Sequence, residues 1–363
     1  MSAITQGSSV SEATAPRSSA ILISIKQNRG FYGAIVLLVL LYLVYNLLHP
    51  RGFTANVLIA NANESAVLCF VAIAQALAVV TGGLDLSVGA VMTLTNTIAS
   101  WLVRGEPWQI ILGCLVTLAS GTAFGFVNGL IIVYGRLQPI IATLASGAVA
   151  MGLALLLRPT PGGDVDGDLG WAATNSLRDL FETYGLFDDG EAPWLQPIAW
   201  FPVPLLIIIV VVGMVWIPLR RTVTGRTLYA IGSSEGAAYM SGLPIDRARL
   251  LAFTLAGFFA GCGGLYLAIQ TGVGNADISQ AGVYTLNSIA AVVLGGISLL
   301  GGIGSAVGAI FGAMILRVIS FYFRVLSIDP LMQTLVEGVV LLAAVSLGTL
   351  RILRVKNRLE LFR

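Results

Sequence analysis

Long apolar runs, separated by short polar or glycine-rich segments, dominate the chain from residue 31 onward. A transmembrane α-helix needs about 20 predominantly apolar residues, and ten runs approach or exceed that length. The predicted spans are residues 31–48, 57–80, 87–103, 109–133, 139–157, 203–219, 250–270, 284–299, 303–323 and 330–349. The pattern predicts an all-α polytopic membrane protein with about ten transmembrane helices in one membrane domain, residues 31–350.

The basic residues predict how these spans are oriented. With the N-terminus inside and alternating spans, 14 of the 20 Lys and Arg residues fall on the cytoplasmic side, in agreement with the positive-inside rule. Both termini are therefore expected in the cytoplasm. The Ser-rich residues 1–30 are predicted to form a disordered cytoplasmic tail, and residues 351–363 a basic cytoplasmic tail.

Two connections between spans are long. Residues 158–202 are predicted to be periplasmic and carry eight acidic residues against two arginines. Their stretch TPGGDVDGD resembles a calcium-binding loop but lacks its spacing and terminal Glu, so a solvated acidic loop is the preferred interpretation. Residues 220–249 form a cytoplasmic connection, in which Ser233 or Ser234 is expected to cap a short helix that begins near Glu235 and ends at Pro244.

An internal repeat appears when the chain is compared with itself at an offset of 190–192 residues. TGGLDLS (81–87) matches TGVGNADIS (271–279), and QPIIATLASGAV (138–149) matches DPLMQTLVEGVV (329–340). An odd number of predicted spans separates the copies, so the two halves, about residues 55–157 and 250–349, have inverted topology. Inverted halves with matching glycine-interrupted segments are typical of transporters and point to the transport path.

The two interrupted segments supply the first candidate residues of that path: Gly82, Gly83, Asp85, Ser87, Asn275 and Asp277. Glycine permits positive φ between helices, and both aspartates can cap the following helix without touching any cargo. Uncharged polar residues within spans complete the set: Gln75, Asn96, Asn128, Thr143, Gln270 and Asn287. Interhelical hydrogen bonding is the simpler role for any one of them, whereas the set as a whole favours a neutral polar cargo over an ion.

Three charged residues lie inside the predicted spans: Glu64, Arg317 and Glu337. All three are predicted to lie in the outer half of the bilayer, where a single buried charge is costly. Arg317 is therefore expected to pair with Glu337 or with Glu64, and a proton relay is the alternative role for these residues.

Composition and missing motifs exclude several classes of protein. Only 10% of the residues are charged and the formal net charge is +2, so nothing indicates a nucleic-acid partner. The three cysteines and one histidine show no metal-ligand spacing. The sequence contains no GxxxxGK[ST] or HExxH motif. A non-catalytic subunit without a cofactor is expected, with any ATP hydrolysis on a separate chain.

Four segments together resemble the permease subunits of bacterial ribose/xylose/arabinose-type ABC sugar importers. They are TGGLDLSVGA (81–90), GFVNGLIIVYGRLQPIIATL (125–144), YAIGSSEGAAYMSGLPIDR (229–247) and LNSIAAVVLGGISLLGGIGSAVGA (286–309). The resemblance covers about residues 55–350. It implies a permease dimer in the bacterial inner membrane, supplied by a periplasmic sugar-binding protein and driven by a cytoplasmic ATPase. It also implies that the cytoplasmic connection carries the coupling helix that docks on the ATPase, at Glu235, Ala237, Ala238, Ser241 and Gly242.

The predicted function is import of a pentose, hexose or similar neutral polyol by alternating access, powered by ATP hydrolysis on the partner chain. An ion- or proton-coupled secondary transporter of a small polar solute is the alternative. The sequence leaves open which solute is carried, and whether two identical or two different permease chains pair.

Overall fold

The computed structural model describes residues 29–50, 52, 54–183, 185, 196–329 and eight positions between 332 and 346. Within these residues the regular structure is helical, apart from two isolated β-bridges. The all-α prediction is confirmed for this part of the chain. Seven of its helices are long and apolar enough to cross a membrane, and two shorter apolar helices join them.

The described helices follow the order of the apolar runs. They are α1 (Arg29–Leu48), α2 (Ala55–Val80), α3 (Val88–Leu102), α4 (Pro107–Val133), α5 (Pro139–Leu157), α6 (Gly167–Thr174), α7 (Leu177–Thr183), α8 (Gln196–Ala199), α9 (Val203–Arg221), α10 (Val223–Ser233), α11 (Glu235–Met240), α12 (Ile245–Thr271), α13 (Ile278–Leu294) and α14 (Ala306–Val325). The predicted tenth span and C-terminal tail lie outside the described residues, apart from the eight positions. So does the predicted N-terminal tail, except for the first two residues of α1.

Two long helices, α2 and α12, form the centre of the molecule. In their most apolar windows 78% of the α2 residues and 67% of the α12 residues are buried, against 17% in α1 and 22% in α4. A helix that is apolar on all sides is suited either to a protein core or to lipid. The difference in burial therefore identifies α2 and α12 as core helices and leaves one side of α1 and α4 for lipid.

Glycines allow α4 and α12 to pack closely. Gly121 and Gly125 of α4 face Gly257 and Gly261 of α12, and a Cβ atom on Gly125 would lie 2.3 Å from the carbonyl oxygen of Phe253. Small residues four apart are a common interface between membrane helices because they bring the two backbones together. The spacing in the sequence thus produces the main contact between an outer helix and the core.

Both glycine-interrupted segments are breaks between a long helix and a short one. The first break, residues 81–87, follows the 26-residue α2 and precedes the 15-residue α3. The second break, residues 272–277, follows the 27-residue α12 and precedes the 17-residue α13. Each has a glycine at positive φ at or next to its first residue, Gly82 at +80° and Gly272 at +72°. The predicted interruptions are confirmed at both places.

The acidic segment between α5 and α9 contains short helices where it is described, and its Asp164 and Asp168 side chains are exposed. Asp166 caps α6 by accepting a hydrogen bond from the Leu169 N–H group at 2.8 Å. Gly162 and Gly274 exchange two main-chain hydrogen bonds, of 3.0 and 2.8 Å, that join this segment to the second break. Its carboxylates and main chain thus stabilise local helices and a contact, which the excess of acidic residues alone does not predict.

Candidate functional site

Four predicted path residues form one hydrogen-bonded group at the first break. The Oδ1 atom of Asp85 accepts hydrogen bonds from the N–H group (2.8 Å) and the hydroxyl (2.6 Å) of Ser87. Asn128 of α4 donates from Nδ2 to the Ser87 hydroxyl oxygen at 2.9 Å. The hydroxyl oxygen of Thr143, in α5, accepts from the Leu86 N–H group at 2.9 Å. Polar side chains therefore tie the break to both α4 and α5.

The two aspartates act differently at their helix starts. Asp277 caps α13 as predicted, accepting from the N–H groups of Ser279 (2.8 Å) and Gln280 (3.1 Å). The expected cap by Asp85 is wrong, because Ser87 is the N-cap residue of α3 and Asp85 lies two positions before it. Its carboxylate accepts from Ser87 in a local turn of the Asx type, so the first turn of α3 lies beyond its reach.

Helices α3 and α13 pack antiparallel and link the two breaks. The Gly89 N–H group, in the first turn of α3, donates to the Thr285 hydroxyl oxygen of α13 at 3.2 Å. Further along α3, Asn96 accepts at Oδ1 from the Asn275 N–H group of the second break at 2.8 Å. The breaks consequently lie at opposite ends of the pair formed by α3 and α13.

Three buried amide side chains carry polar atoms that have no hydrogen-bond partner among the described residues. These atoms are Oε1 and Nε2 of Gln75, Nδ2 of Asn96 and Oδ1 of Asn128. Gln75 is fully buried in α2, and the other two are 1% exposed. Because buried polar groups in proteins are nearly always paired, each of these is suited to receive a water molecule or a polar ligand.

The remaining predicted path residues occupy scattered positions. Gly83 packs against α5, where an added Cβ atom would lie 3.2 Å from the Pro139 ring. Gln270 is partly exposed at the end of α12, and Asn287 is buried in α13.

The predicted cytoplasmic connection folds into two short helices, α10 and α11. Ser234 caps α11 as predicted, accepting from the Ala237 N–H group at 3.4 Å. The helix ends at Met240, earlier than the predicted stop at Pro244, because Gly242 turns the chain with φ of +72°. An ion pair of 2.8 Å joins Glu235, at the start of α11, to Arg249 in α12.

Most of the predicted coupling-helix residues are exposed on or just after α11, beside two larger exposed side chains. Of the five coupling-helix candidates, Ala238 is buried, whereas Glu235, Ala237, Ser241 and Gly242 are exposed. The most prominent side chains are those of Tyr239 and Met240, which are 77% and 89% exposed. Sequence reasoning did not select these two residues, because Tyr and Met in an apolar run usually pack inside. They are exposed here because they lie at the end of a six-residue helix.

The intramembrane charges pair differently from the prediction. Glu64 binds Arg324 through both carboxylate oxygens, with Nη1 donating to Oε1 at 2.6 Å and Nη2 to Oε2. The expected pair of Glu64 with Arg317 is therefore wrong, and Glu337 lies outside the described residues. Arg317 and Arg324 lie two helical turns apart on one face of α14. Arg324 is the one at the same height as Glu64. The Arg317 guanidinium lies 5.2 Å from the centre of the Tyr284 ring.

No group of three or more His, Cys, Asp and Glu side chains is arranged to hold a metal ion in the described part of the chain. The three cysteines are free thiols, with Cys69 and Cys262 buried and Cys114 partly exposed. The site geometry is therefore that of hydrogen-bonding groups at broken helices.

Comparison with known proteins finds transport permeases. A profile of the family described as "Branched-chain amino acid transport system / permease component" matches residues 57–345. The ribose import permease protein of Escherichia coli (strain K12) is 31% identical over 312 residues, which cover 86% of this chain and 91% of that protein. Its counterpart in Bacillus subtilis (strain 168) is 32% identical over 312 residues, 85% of this chain and 90% of that one.

A third relative is named for a different sugar. The fructose import permease protein of Rhizobium meliloti is 28% identical over 316 residues, 86% of this chain and 83% of that protein. No solved structure matches the chain. The expected resemblance to sugar-import permeases is confirmed, and it extends from the second predicted span to near the end of the last.

Proposed function

Since the chain belongs to the family of the branched-chain amino acid transport system permease component, we propose that it is the membrane permease of a bacterial ATP-driven importer, carrying a neutral sugar from periplasm to cytoplasm. The observation that carries the proposal is similarity to the E. coli ribose import permease over 86% of this chain. The expected ten spans, inverted halves, cytoplasmic termini and inner-membrane location form part of it.

Alternating access through the two breaks is the proposed mechanism. Broken helices in the two halves of a transporter allow each end of the path to open in turn around a fixed site. The antiparallel packing of α3 on α13, with one break at each end, supports this arrangement. Closing one break while the other opens would move the solute without a continuous channel.

The buried amides suit a sugar better than an ion. A sugar hydroxyl both donates and accepts hydrogen bonds, as an amide side chain does. Gln75, Asn96 and Asn128 offer unpartnered donor and acceptor atoms in the core. We assign them to a wetted inner part of the path, where water or sugar hydroxyls complete their hydrogen bonds in other states.

Three partners are proposed. Helix α11 docks on a cytoplasmic ATPase, which supplies the hydrolysis that this chain does not catalyse. A periplasmic sugar-binding protein delivers the solute to the outer side, and a second permease chain, identical or different, completes the path. The exposed Tyr239 and Met240 side chains of α11 support the first of these, because exposed aromatic and Met residues are enriched at protein interfaces.

Uptake of radiolabelled sugars into cells that express the complete importer tests the proposal. Uptake is expected to disappear when the partner ATPase carries a Walker-A lysine substitution, and to survive an uncoupler that leaves cellular ATP intact. Uptake that survives the ATPase substitution but stops with the uncoupler would instead establish the ion- or proton-coupled alternative.

The family description favours one competing cargo, a branched-chain amino acid. Competition distinguishes the two cargo classes: unlabelled ribose or fructose is expected to reduce uptake, whereas leucine is expected to leave it unchanged. Inhibition by leucine alone would reverse the assignment of the cargo while leaving the permease assignment intact.

A further inference from the structure

Two adjoining cavities lie where α1, α2 and α14 meet at their predicted periplasmic ends. The first has a volume of about 540 Å³ and a polar lining that includes His49, Asn56, Glu64, Arg324 and Ser327. The second has a volume of about 250 Å³ and a mostly apolar lining that includes Leu38, Leu43, Leu58, Leu205, Val318 and Phe321. Asn61 lines both, so the polar and the apolar cavity share a wall.

The two cavities differ in depth. Tyr45, near the end of α1, and His49, just beyond it, line the polar cavity. The apolar cavity is lined by Leu38 and Leu43, nearer the middle of that helix. On α14 the same shift separates Arg324 from Val318. With a rise of 1.5 Å per residue, the apolar cavity begins about one to two helical turns closer to the bilayer centre.

Aromatic side chains mark the boundary between the two cavities. The Tyr45 ring lies 5.8 Å from the Tyr322 ring, and the Tyr42 hydroxyl accepts a hydrogen bond from Asn61 Nδ2 at 3.4 Å. Tyrosines concentrate at the level of lipid headgroups. The polar cavity therefore lies at headgroup depth and the apolar cavity at acyl-chain depth.

The ion pair in the polar cavity presents both signs of charge. Arg324 and Glu64 bind each other, yet their side chains remain 57% and 37% exposed. A guanidinium has five N–H donors and a carboxylate about four acceptor positions, so each retains capacity for a further partner. A ligand that joins an anionic group to a cationic donor would match this pair.

We propose that the two cavities together bind one molecule of a zwitterionic glycerophospholipid with a primary ammonium group, such as phosphatidylethanolamine. Its phosphate contacts Arg324, its ammonium group contacts Glu64, and one acyl chain occupies the apolar cavity beside Leu43. A free polar solute would leave the apolar cavity unused, and an acyl chain without this headgroup would leave the charges unmatched. The lipid holds the peripheral helix α1 to the core helices α2 and α14.

Native mass spectrometry of the full-length protein, delipidated in detergent and titrated with defined lipids, tests this site. Wild type is expected to bind one dioleoylphosphatidylethanolamine per chain, more tightly than dioleoylphosphatidylcholine, whose methylated ammonium cannot donate hydrogen bonds. Arg324→Gln is expected to weaken phosphatidylethanolamine binding about tenfold, the effect of losing one charge-assisted hydrogen bond. Arg104→Gln, which changes another exposed arginine on the same predicted side, should leave binding unchanged.

A second pair of variants tests the apolar cavity. Leu43→Trp fills it and is expected to abolish binding of both lipids, whereas Leu47→Trp, one turn further along α1 and 85% exposed, should have no effect. Equal affinity for the two lipids, or binding that Arg324→Gln and Leu43→Trp leave intact, would overturn the proposal. A change of oligomeric state in Leu43→Trp without any lipid binding by wild type would identify the cavity as a chain-to-chain contact instead.

Discussion

Ser87 has a central position at the first break, since it bridges Asp85 and Asn128. Ser87 as a whole residue is 1% exposed. Its hydroxyl donates to the Asp85 carboxylate and accepts from the Asn128 amide. Ser87→Ala would leave both partners buried with one hydrogen bond fewer. Such a loss costs about 1–3 kcal/mol for each buried polar group left unsatisfied. We expect a lower thermal unfolding midpoint of the purified protein and a larger loss of uptake than the loss of folded protein accounts for.

A matched control is available in α4. The Ser120 hydroxyl donates to the Val116 carbonyl of its own helix at 2.7 Å, so Ser120→Ala removes a serine hydroxyl without breaking a link between helices. Its unfolding midpoint should remain close to that of wild type. If the Ser87 and Ser120 variants behave alike, the hydrogen-bonded group at the first break does not stabilise the structure.

Sequence reasoning at the residue scale succeeded where chemistry is local and failed where distances between helices decide. Asp277 was identifiable as a cap because the residues it binds are two and three positions away. The partner of Glu64 was not, because Arg317 and Arg324 lie on one face of a helix and sequence spacing does not specify which one is level with the carboxylate. The pairing depends on the relative axial position at which α14 packs against α2.

At the scale of elements, close packing of α4 on α12 makes a sharp prediction. Gly125→Ala places a Cβ atom 2.3 Å from the Phe253 carbonyl oxygen, so the helices must separate. Overpacking of this kind costs about 1–3 kcal/mol. The variant should show a reduced monodisperse fraction in fluorescence-detected size-exclusion chromatography. Gly152→Ala in α5, where an added Cβ atom meets nothing within 4 Å, should match wild type and serves as the control.

The docking role proposed for α11 needs a substitution that adds bulk without strain. Gly242 is unsuitable, because its φ of +72° penalises any side chain whether or not a partner is present. Gly236 lies exposed in α11 with open space around its Cβ position. Gly236→Arg is expected to abolish uptake and co-purification of the ATPase while the permease stays folded, and Gly236→Ala should be nearly neutral. Normal ATPase binding by Gly236→Arg would remove α11 from the proposed interface.

The side chains of Tyr239 and Met240 supply a complementary test. If they anchor the ATPase, Tyr239→Ala should weaken its binding about tenfold or more, the usual loss at an interface hot spot. Tyr134→Ala alters another strongly exposed tyrosine at the same predicted end of the molecule and is expected to leave binding unchanged. Equal effects of the two variants would indicate a loss unrelated to α11.

At the scale of the whole molecule, apolar runs predicted the order of the helices but misplaced several ends. The predicted span 284–299 corresponds to α13, Ile278–Leu294. Its start was placed too late because the first turn of α13 contains polar residues. Its end was placed too late because the last residues of the predicted span form a glycine-rich turn after the helix. The breaks were predictable because glycine beside a polar residue is rare in an apolar run. The burial of α2 and α12 was not, since a lipid-facing helix and a core helix have similar composition.

The orientation of the whole chain in the membrane is the most general prediction, and cysteine labelling tests it directly. Thr160 lies just after α5, on the predicted periplasmic side. Ser241 follows α11 on the predicted cytoplasmic side, and both residues are exposed. With a membrane-impermeant maleimide, Thr160→Cys should be labelled in spheroplasts and Ser241→Cys only in inverted membrane vesicles. The wild-type chain controls for its own thiols, two of which are buried. Labelling of Ser241→Cys in spheroplasts would reverse the topology and detach α11 from any cytoplasmic partner.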